Sequence, residues 1–248
     1  VFLKKEKSIQ DVLFKKFVKK LFKLAFLSSK RIIFQNPDDI EFFKKEKIIV
    51  DFSKAKRVWG SGVNLSKFKP QPIINDKVFL MLSRLLKDKG IREYFEAARI
   101  IKLKYPKAKF LLAGSFDKNP SGIKKEEFKK LLDLGSVKYL GNLKCVKDAL
   151  LKCTFYVLPS YREGTPRSTL EALAVGRPIL TTDVPGCRET VIDGFNGYLV
   201  ETNDSLALSF GMEKLLNHTF KETQRMSKNS LFLAKKKYDV RKINKDLI

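Results

Sequence analysis

The chain has 248 residues, with 51 Lys and Arg against 27 Asp and Glu and a formal net charge of +24. That length suits one sizeable core, or one complete domain with part of another, and no apolar run approaches the roughly 18 residues a membrane span needs. The charge attracts polyanions without selecting among nucleic acid, anionic lipid and nucleotide phosphate, and abundant Lys throughout also reads as ordinary solvated surface.

The chain begins at Val1, without the charge, apolar-run and cleavage-site order of a signal peptide, so the start reads as internal. Residues 8–27 predict a helix in which Leu13, Phe17, Leu21 and Leu24 form a stripe beside Phe14, Val18, Phe22 and Ala25, with Lys15, Lys16, Lys19, Lys20 and Lys23 on the other face. Such a helix suits either an anionic membrane surface or packing against further protein. A short strand follows at Arg31–Phe34, then a helix opened by Asn36-Pro37 with Asp38, Asp39 and Glu41 near its positive end. Residues 44–72 have weaker patterning, and their Gly, Ser and Pro content reads as a hinge or linker.

Beyond it, apolar runs at Val78–Leu82, Phe110–Ala113, Val137–Leu140, Phe155–Leu158 and Pro178–Thr181 alternate with longer segments. The segment from Gly90 spaces Ile91, Tyr94, Phe95, Ala98 and Ile101 as a helix, and "DGFNGYLV" reads as a turn and strand. Wholly apolar strands alternating with helices predict an α/β fold, a Rossmann-like doubly wound parallel sheet. The expected division is 1–66 and 67–248.

Three cysteines, Cys145, Cys153 and Cys187, lack zinc or redox spacing and suit a reducing cytoplasm. The single histidine, His218, reads as an ordinary surface residue in a late helical segment, which leaves no histidine-rich metal site and no Ser-His-Asp triad.

Ligands of such sheets sit beyond the carboxyl ends of the strands. There the sequence carries "SRLLKDKG" with Arg84 and Lys89, then "GSFDKNPSG", then "SYREGTPRSTLE", which leads into a helix starting near Pro166 or Arg167. Two cations and a helix N-terminus suit a diphosphate leaving group. Glu163 and Glu171 suit hydroxyls, one at each end of a nucleotide sugar, because an ionised carboxylate can hold a diol. Glu171 alone also suits a first-turn residue that complements the helix dipole. No D-x-D pair occurs, so no metal or other cofactor is expected.

With "IFQNPDD", "GSGVNLSKF", "LSRLLKDKG", "LLAGSFDKNPSG", "YLGN" and "VLPSYREGTPRSTLEALAVGRPILTTDVPGCRETVIDGFNGYLV", the sequence from about Ile32 onward resembles the retaining, two-lobed GT-B glycosyltransferases of family 4. The resemblance implies that Arg84 and Lys89 meet the donor diphosphate, Glu163 the transferred sugar and Glu171 the ribose, while Gly141 and Asn142 border the base. Gly164, Thr165, Arg167 and Ser168 complete the donor loop. Thr165 and Pro166 replace the aromatic and glycine of many relatives, and Pro166 has no N–H, so phosphate contacts fall to Arg167, Ser168 and their neighbours. The family's first lobe carries a Gly-rich loop and usually a histidine that this chain lacks. Residues 1–66 are then the tail of an acceptor-side lobe.

The implied reaction moves a hexose or N-acetylhexosamine from a UDP-sugar to a polyprenyl-diphosphate-linked or other surface glycan, by a cytoplasmic protein peripheral to the inner face of the plasma membrane. Nucleic acid is not an expected partner. Two rivals stand beside it: a non-catalytic basic module binding nucleic acid or anionic membrane, and a UDP-sugar epimerase on the same architecture.

Overall fold

The computed structural model describes residues 9–247, so Ser8, the first residue of the expected N-terminal helix, lies outside the described residues. The chain divides into two compact units, up to Val58 and from Trp59.

In the first unit, helix α1 (Ile9–Ser28) precedes strand β1 (Ile32–Phe34), helix α2 (Pro37–Lys45) and strand β2 (Ala55–Arg57). Asn36 caps α2 as its sequence foretells: the side-chain oxygen accepts the Asp39 N–H at 2.8 Å, and Pro37 takes the first helical position, where no N–H is needed. β1 and β2 pair in parallel, Ile32 opposite Ala55. Ile32, Phe34 and Ile49 form a small core against Phe26, Ile40 and Phe43. The stripe predicted on α1 is exposed, Leu13, Phe17 and Leu24 being 60%, 59% and 56% accessible. What α1 packs instead is its flank: Phe22 and Phe26 meet Phe43 edge-on or tilted, and Lys19 pairs with Glu46 at 3.1 Å.

The second unit holds a six-stranded parallel sheet in the order β5-β4-β3-β6-β7-β8, from β3 (Val78–Leu82), β4 (Lys109–Ala113), β5 (Lys138–Tyr139), β6 (Phe155–Leu158), β7 (Ile179–Thr182) and β8 (Gly197–Val200). Every residue of β3, β6 and β7 is buried, and alternate side chains point to opposite faces, so both faces of the sheet centre are covered. Across three neighbouring strands, Phe79 stacks on Phe110 and meets Phe155 at a tilt. The helices are α3 (Ile91–Lys104), α4 (Lys125–Asp133), α5 (Lys147–Leu151), α6 (Arg167–Ala174), α7 (Ser205–Leu216), α8 (Phe220–Lys237) and α9 (Val240–Leu247). α3 packs on α7, and α6 on α8. From β3 the chain winds outward to β5, then returns to the other side of β3 and winds outward again from β6 to β8. That reversal is the switch point of a doubly wound sheet, and it opens a crevice between the ends of β3 and β6.

The expected division at 66/67 moves to 58/59, and residues 59–66 are not a free hinge. Trp59 meets Tyr238 edge-on with ring centroids 6.3 Å apart, and Val63 exchanges backbone hydrogen bonds with Tyr238 and Val240 at 2.7 and 3.1 Å. Val63 is buried in the core of the second unit, which outweighs the flexibility its Gly and Ser neighbours suggest. His218 is likewise not a plain surface residue: it is half-buried, with Nε2 2.9 Å from the Tyr198 hydroxyl.

Candidate functional site

Three loops converge on the switch point because backbone hydrogen bonds stitch them together. The loop after β3 turns through a single 3-10 turn, Lys87–Lys89, and Gly90, whose φ of +73° favours glycine. A Cβ at Gly90 would stand 2.1 Å from the Pro159 carbonyl oxygen, so this loop presses directly on the one after β6. Asp88 O accepts the Tyr161 N–H at 2.9 Å and the Ser160 hydroxyl at 3.1 Å. On the far side the Glu163 N–H donates to Pro185 O at 3.0 Å, which fixes the loop against the one after β7.

The result is a cleft of about 360 Å³ whose wall includes Arg84, Lys89, Asn142, Glu163, Arg167, Ser168 and Glu171. Seven residues expected from three separate stretches of sequence thus meet at one edge of the sheet. Lys89 Nζ donates to Glu163 Oε1, with both side chains largely buried. Arg167 Nε lies 3.3 Å from Glu171 Oε1, one helical turn away. Glu171 is 9% exposed, and burial pushes its carboxyl above the usual carboxylate range against the opposing pull of Arg167 and Lys67. Arg84 Nη1 donates to Asp117 Oδ2 at 2.6 Å. α6 starts at Arg167 with no side-chain cap; the Thr169 and Leu170 N–H groups donate to Pro166 O at 3.1 and 3.2 Å, and the N–H groups of Arg167 and Ser168, which precede them, face the ligand end of the sheet.

Three expected residues contribute differently. Gly164 and Thr165 lie in the loop but outside the cleft wall: Thr165 is buried, its hydroxyl donates to Gly164 O at 2.9 Å, and Gly60 abuts it. Gly141 supports the wall from behind, its carbonyl accepting the Gly114 N–H at 2.9 Å.

The sequence reading did not single out Ser83, Gly114, Ser115, Leu143 and Val146, which also line the wall, although "GSFDKNPSG" marked the loop that supplies two of them. Nor did it find Tyr156, fully buried beneath α6, whose hydroxyl sits 2.6 Å from Ser168 Oγ and 3.2 Å from Leu82 O. Among the described residues, no three His, Cys, Asp or Glu gather as metal ligands. Among them, too, no helix is long and apolar enough to cross a membrane.

The family described as Glycosyl transferases group 1 matches residues 64–231. An N,N'-diacetylbacillosaminyl-diphospho-undecaprenol alpha-1,3-N-acetylgalactosaminyltransferase of Campylobacter jejuni is 33% identical over 213 residues, covering 80% of this chain and 54% of the relative. A UDP-Gal:alpha-D-GlcNAc-diphosphoundecaprenol alpha-1,3-galactosyltransferase of Escherichia coli is 30% identical over 189 residues, covering 70% and 48%. The chain thus spans about half the length of these curated relatives. The crystal structure of Anabaena HepE with UDP and glucose superposes with a TM-score of 0.81 at 21% identity, over 95% of this chain and 67% of that one, a likeness of fold. The α/β sheet is that of the GT-B glycosyltransferases, and the chain belongs to the group 1 glycosyl transferases.

Proposed function

We propose that this chain carries the donor site of a retaining, family 4 glycosyltransferase that moves a hexose or N-acetylhexosamine from a UDP-sugar to a polyprenyl-diphosphate-linked or other surface-glycan acceptor. The observation that carries the reading is the order of charge in the cleft: three cations and a helix N-terminus, with carboxylates Glu163 and Glu171 both in the wall. A nucleotide sugar has the matching order, two phosphates between two hydroxylated rings. The names of two relatives, which give diphospho-undecaprenol-linked acceptors and in one case a UDP-sugar donor, support the same substrate classes.

On this reading the Lys89–Glu163 and Arg167–Glu171 pairs are placeholders. When donor enters, the phosphates take Lys89 and Arg167 together with Arg84 and the first-turn N–H groups of Arg167 and Ser168. The freed carboxylates accept hydrogen bonds from hydroxyls, Glu163 from the sugar and Glu171 from the ribose, with Asn142 and Gly141 beside the base. As the bond from the anomeric carbon to the diphosphate oxygen breaks, negative charge grows on the leaving UDP, and the fixed cations stabilise that growth without reorganising. The acceptor hydroxyl attacks from the face the UDP leaves and gives its proton to the departing diphosphate oxygen, and Glu163 orients the sugar rather than forming a bond to it. The cations do the work a divalent metal would do elsewhere. The exposed apolar stripe of α1, beside Lys16, Lys20 and Lys23, suits peripheral contact with an anionic membrane where such acceptors reside.

Ligand-observed NMR on this chain with UDP, UMP and uridine tests the donor site. UDP binds, EDTA leaves its affinity unchanged, and Arg84→Ala weakens UDP more than uridine. Equal losses for both ligands, or binding that EDTA removes, would overturn the phosphate roles. Glu163→Ala should erase the gain in affinity of a UDP-sugar over UDP while UDP itself still binds.

A further inference from the structure

The chemistry above uses Arg84 but leaves its partner unexplained. Arg84 is 61% exposed at the cleft mouth, where an arginine would ordinarily sample many rotamers, while Asp117 is 18% exposed and is not part of the cleft wall. Asp117 is also the fixed member of the pair. Its Oδ1 accepts the Asn119 N–H at 2.8 Å, and Asn119 Oδ1 in turn accepts the Ser121 N–H at 3.0 Å and lies 3.1 Å from the Ser121 hydroxyl. This chain of side-chain-capped turns is sewn to the Arg84 loop along its length. The Leu85 N–H donates to Ser115 O at 2.9 Å, the Lys87 N–H to Ser121 O at 2.9 Å, and the Ile123 N–H to Leu85 O at 3.0 Å. The loop after β4 therefore runs as a splint beside the loop after β3, and it holds the Arg84 guanidinium through Asp117 Oδ2.

We infer that Asp117 is a positioning residue for donor binding: it clamps one edge of the Arg84 guanidinium so that the remaining N–H groups are already aimed at the diphosphate. The inference rests on the donor site proposed above. Glu163 and Glu171 line the cleft and can exchange their cations for hydroxyls, whereas Asp117, set behind the wall, keeps its hold on Arg84 when the donor enters. An arginine offers five donors in a planar fork, so one can remain with Asp117 while others meet phosphate oxygens. The gain is pre-organisation: the rotamer freedom of a long exposed side chain is lost on folding, not on binding.

Two measurements on the intact chain test this, one with ligand and one without. In ligand-free protein, side-chain NMR of the Arg84 guanidinium should show its N–H groups slowed and resolved in wild type and averaged in Asp117→Ala. If the spectra match, Asp117 does not hold Arg84 and the inference fails whatever UDP does. In UDP titrations, Asp117→Ala should weaken binding by roughly two- to tenfold, the scale of ordering one such side chain, while leaving uridine unchanged. In an Arg84→Ala background the same substitution should change nothing further. Equal loss for UDP and uridine, or loss that persists without Arg84, would mean that Asp117 only supports its loop. Tighter UDP binding would mean that it competes with phosphate. Wild-type protein that does not bind UDP but shows the clamped Arg84 would overturn the donor reading and the ligand half of this one together. Asp117→Asn keeps an acceptor for the Asn119 N–H and so guards against misfolding of the loop; it should reproduce the UDP loss.

Discussion

Gly90→Ala tests whether the two central loops are held by close approach. The substitution has two separable costs. A non-glycine residue at φ +73° costs about 1–2 kcal/mol wherever it occurs. At Gly90 the new methyl would also lie 2.1 Å from the Pro159 carbonyl oxygen, and because that atom is backbone the loop after β6 must move; overpacking of this kind costs about 1–3 kcal/mol more. Gly135 provides the control, since its φ is +65° but nothing lies within 4 Å of a Cβ built there. Gly135→Ala should therefore lose about 1–2 kcal/mol and Gly90→Ala about 2–5 kcal/mol. Urea unfolding read by the fluorescence of Trp59, the single tryptophan and part of the second unit, gives both numbers. Gly90→Ala should also weaken UDP at denaturant-free conditions, because moving Pro159 disturbs the anchor of Ser160 and Tyr161 on Asp88. Equal losses in the two variants, with UDP affinity intact, would refute the claim that this contact sets the geometry of the cleft.

Glu171→Gln should stabilise the ligand-free chain at neutral pH and weaken UDP by about 1.5–3 kcal/mol, the scale of a hydrogen bond to a charged group. The sign follows from burial: with the folded-state pKa raised, the stability linked to the protonated carboxyl is full below the unfolded value near 4.5 and is lost as pH rises through the folded one. The stabilising effect of the amide should accordingly vanish toward pH 4, and thermal melts at pH 4 and pH 7.5 check it. On α1, Leu13→Glu with Phe17→Glu should abolish co-sedimentation with vesicles rich in anionic lipid, and wild-type binding should fall steeply with salt. Equal binding of wild type to neutral vesicles would contradict an electrostatic contribution from the lysines.

The sheet was legible because its strands carry mostly apolar side chains; β3, β6 and β7 read as buried on both faces for the reason that they are. Asn36-Pro37 announced a helix start through local chemistry alone. β2 escaped because its three residues, Ala-Lys-Arg, have no apolar alternation and owe their strand geometry to pairing with β1. Residues 59–66 misled for a related reason: Gly and Ser describe what the backbone can do, while Trp59 and Val63 are fixed by partners around Tyr238, near the other end of the sequence. In the site, residue type and position after a strand were enough to gather Arg84, Lys89, Glu163 and Glu171. Which carboxylate holds which cation was not readable, because it depends on loop paths set by backbone hydrogen bonds such as Leu85 to Ser115.

The net charge of +24 and the cleft answer different questions about selectivity. Exposed lysines act on any anion, and their reach in physiological salt is about 8 Å. Within the cleft, Lys89 and Arg167 are already paired with Glu163 and Glu171. An inorganic diphosphate that takes those cations leaves two carboxylates facing its own charge without partners, a penalty that grows where water is scarce. A nucleotide sugar takes the same cations and brings hydroxyls to both carboxylates, so the pairs are exchanged and not simply broken. On the proposed donor reading, discrimination between polyphosphate and nucleotide sugar lies in the acidic residues, which act against the wrong ligand as much as for the right one. Removing either carboxylate should narrow the preference for UDP-sugar over inorganic diphosphate even as it leaves the cleft more positive.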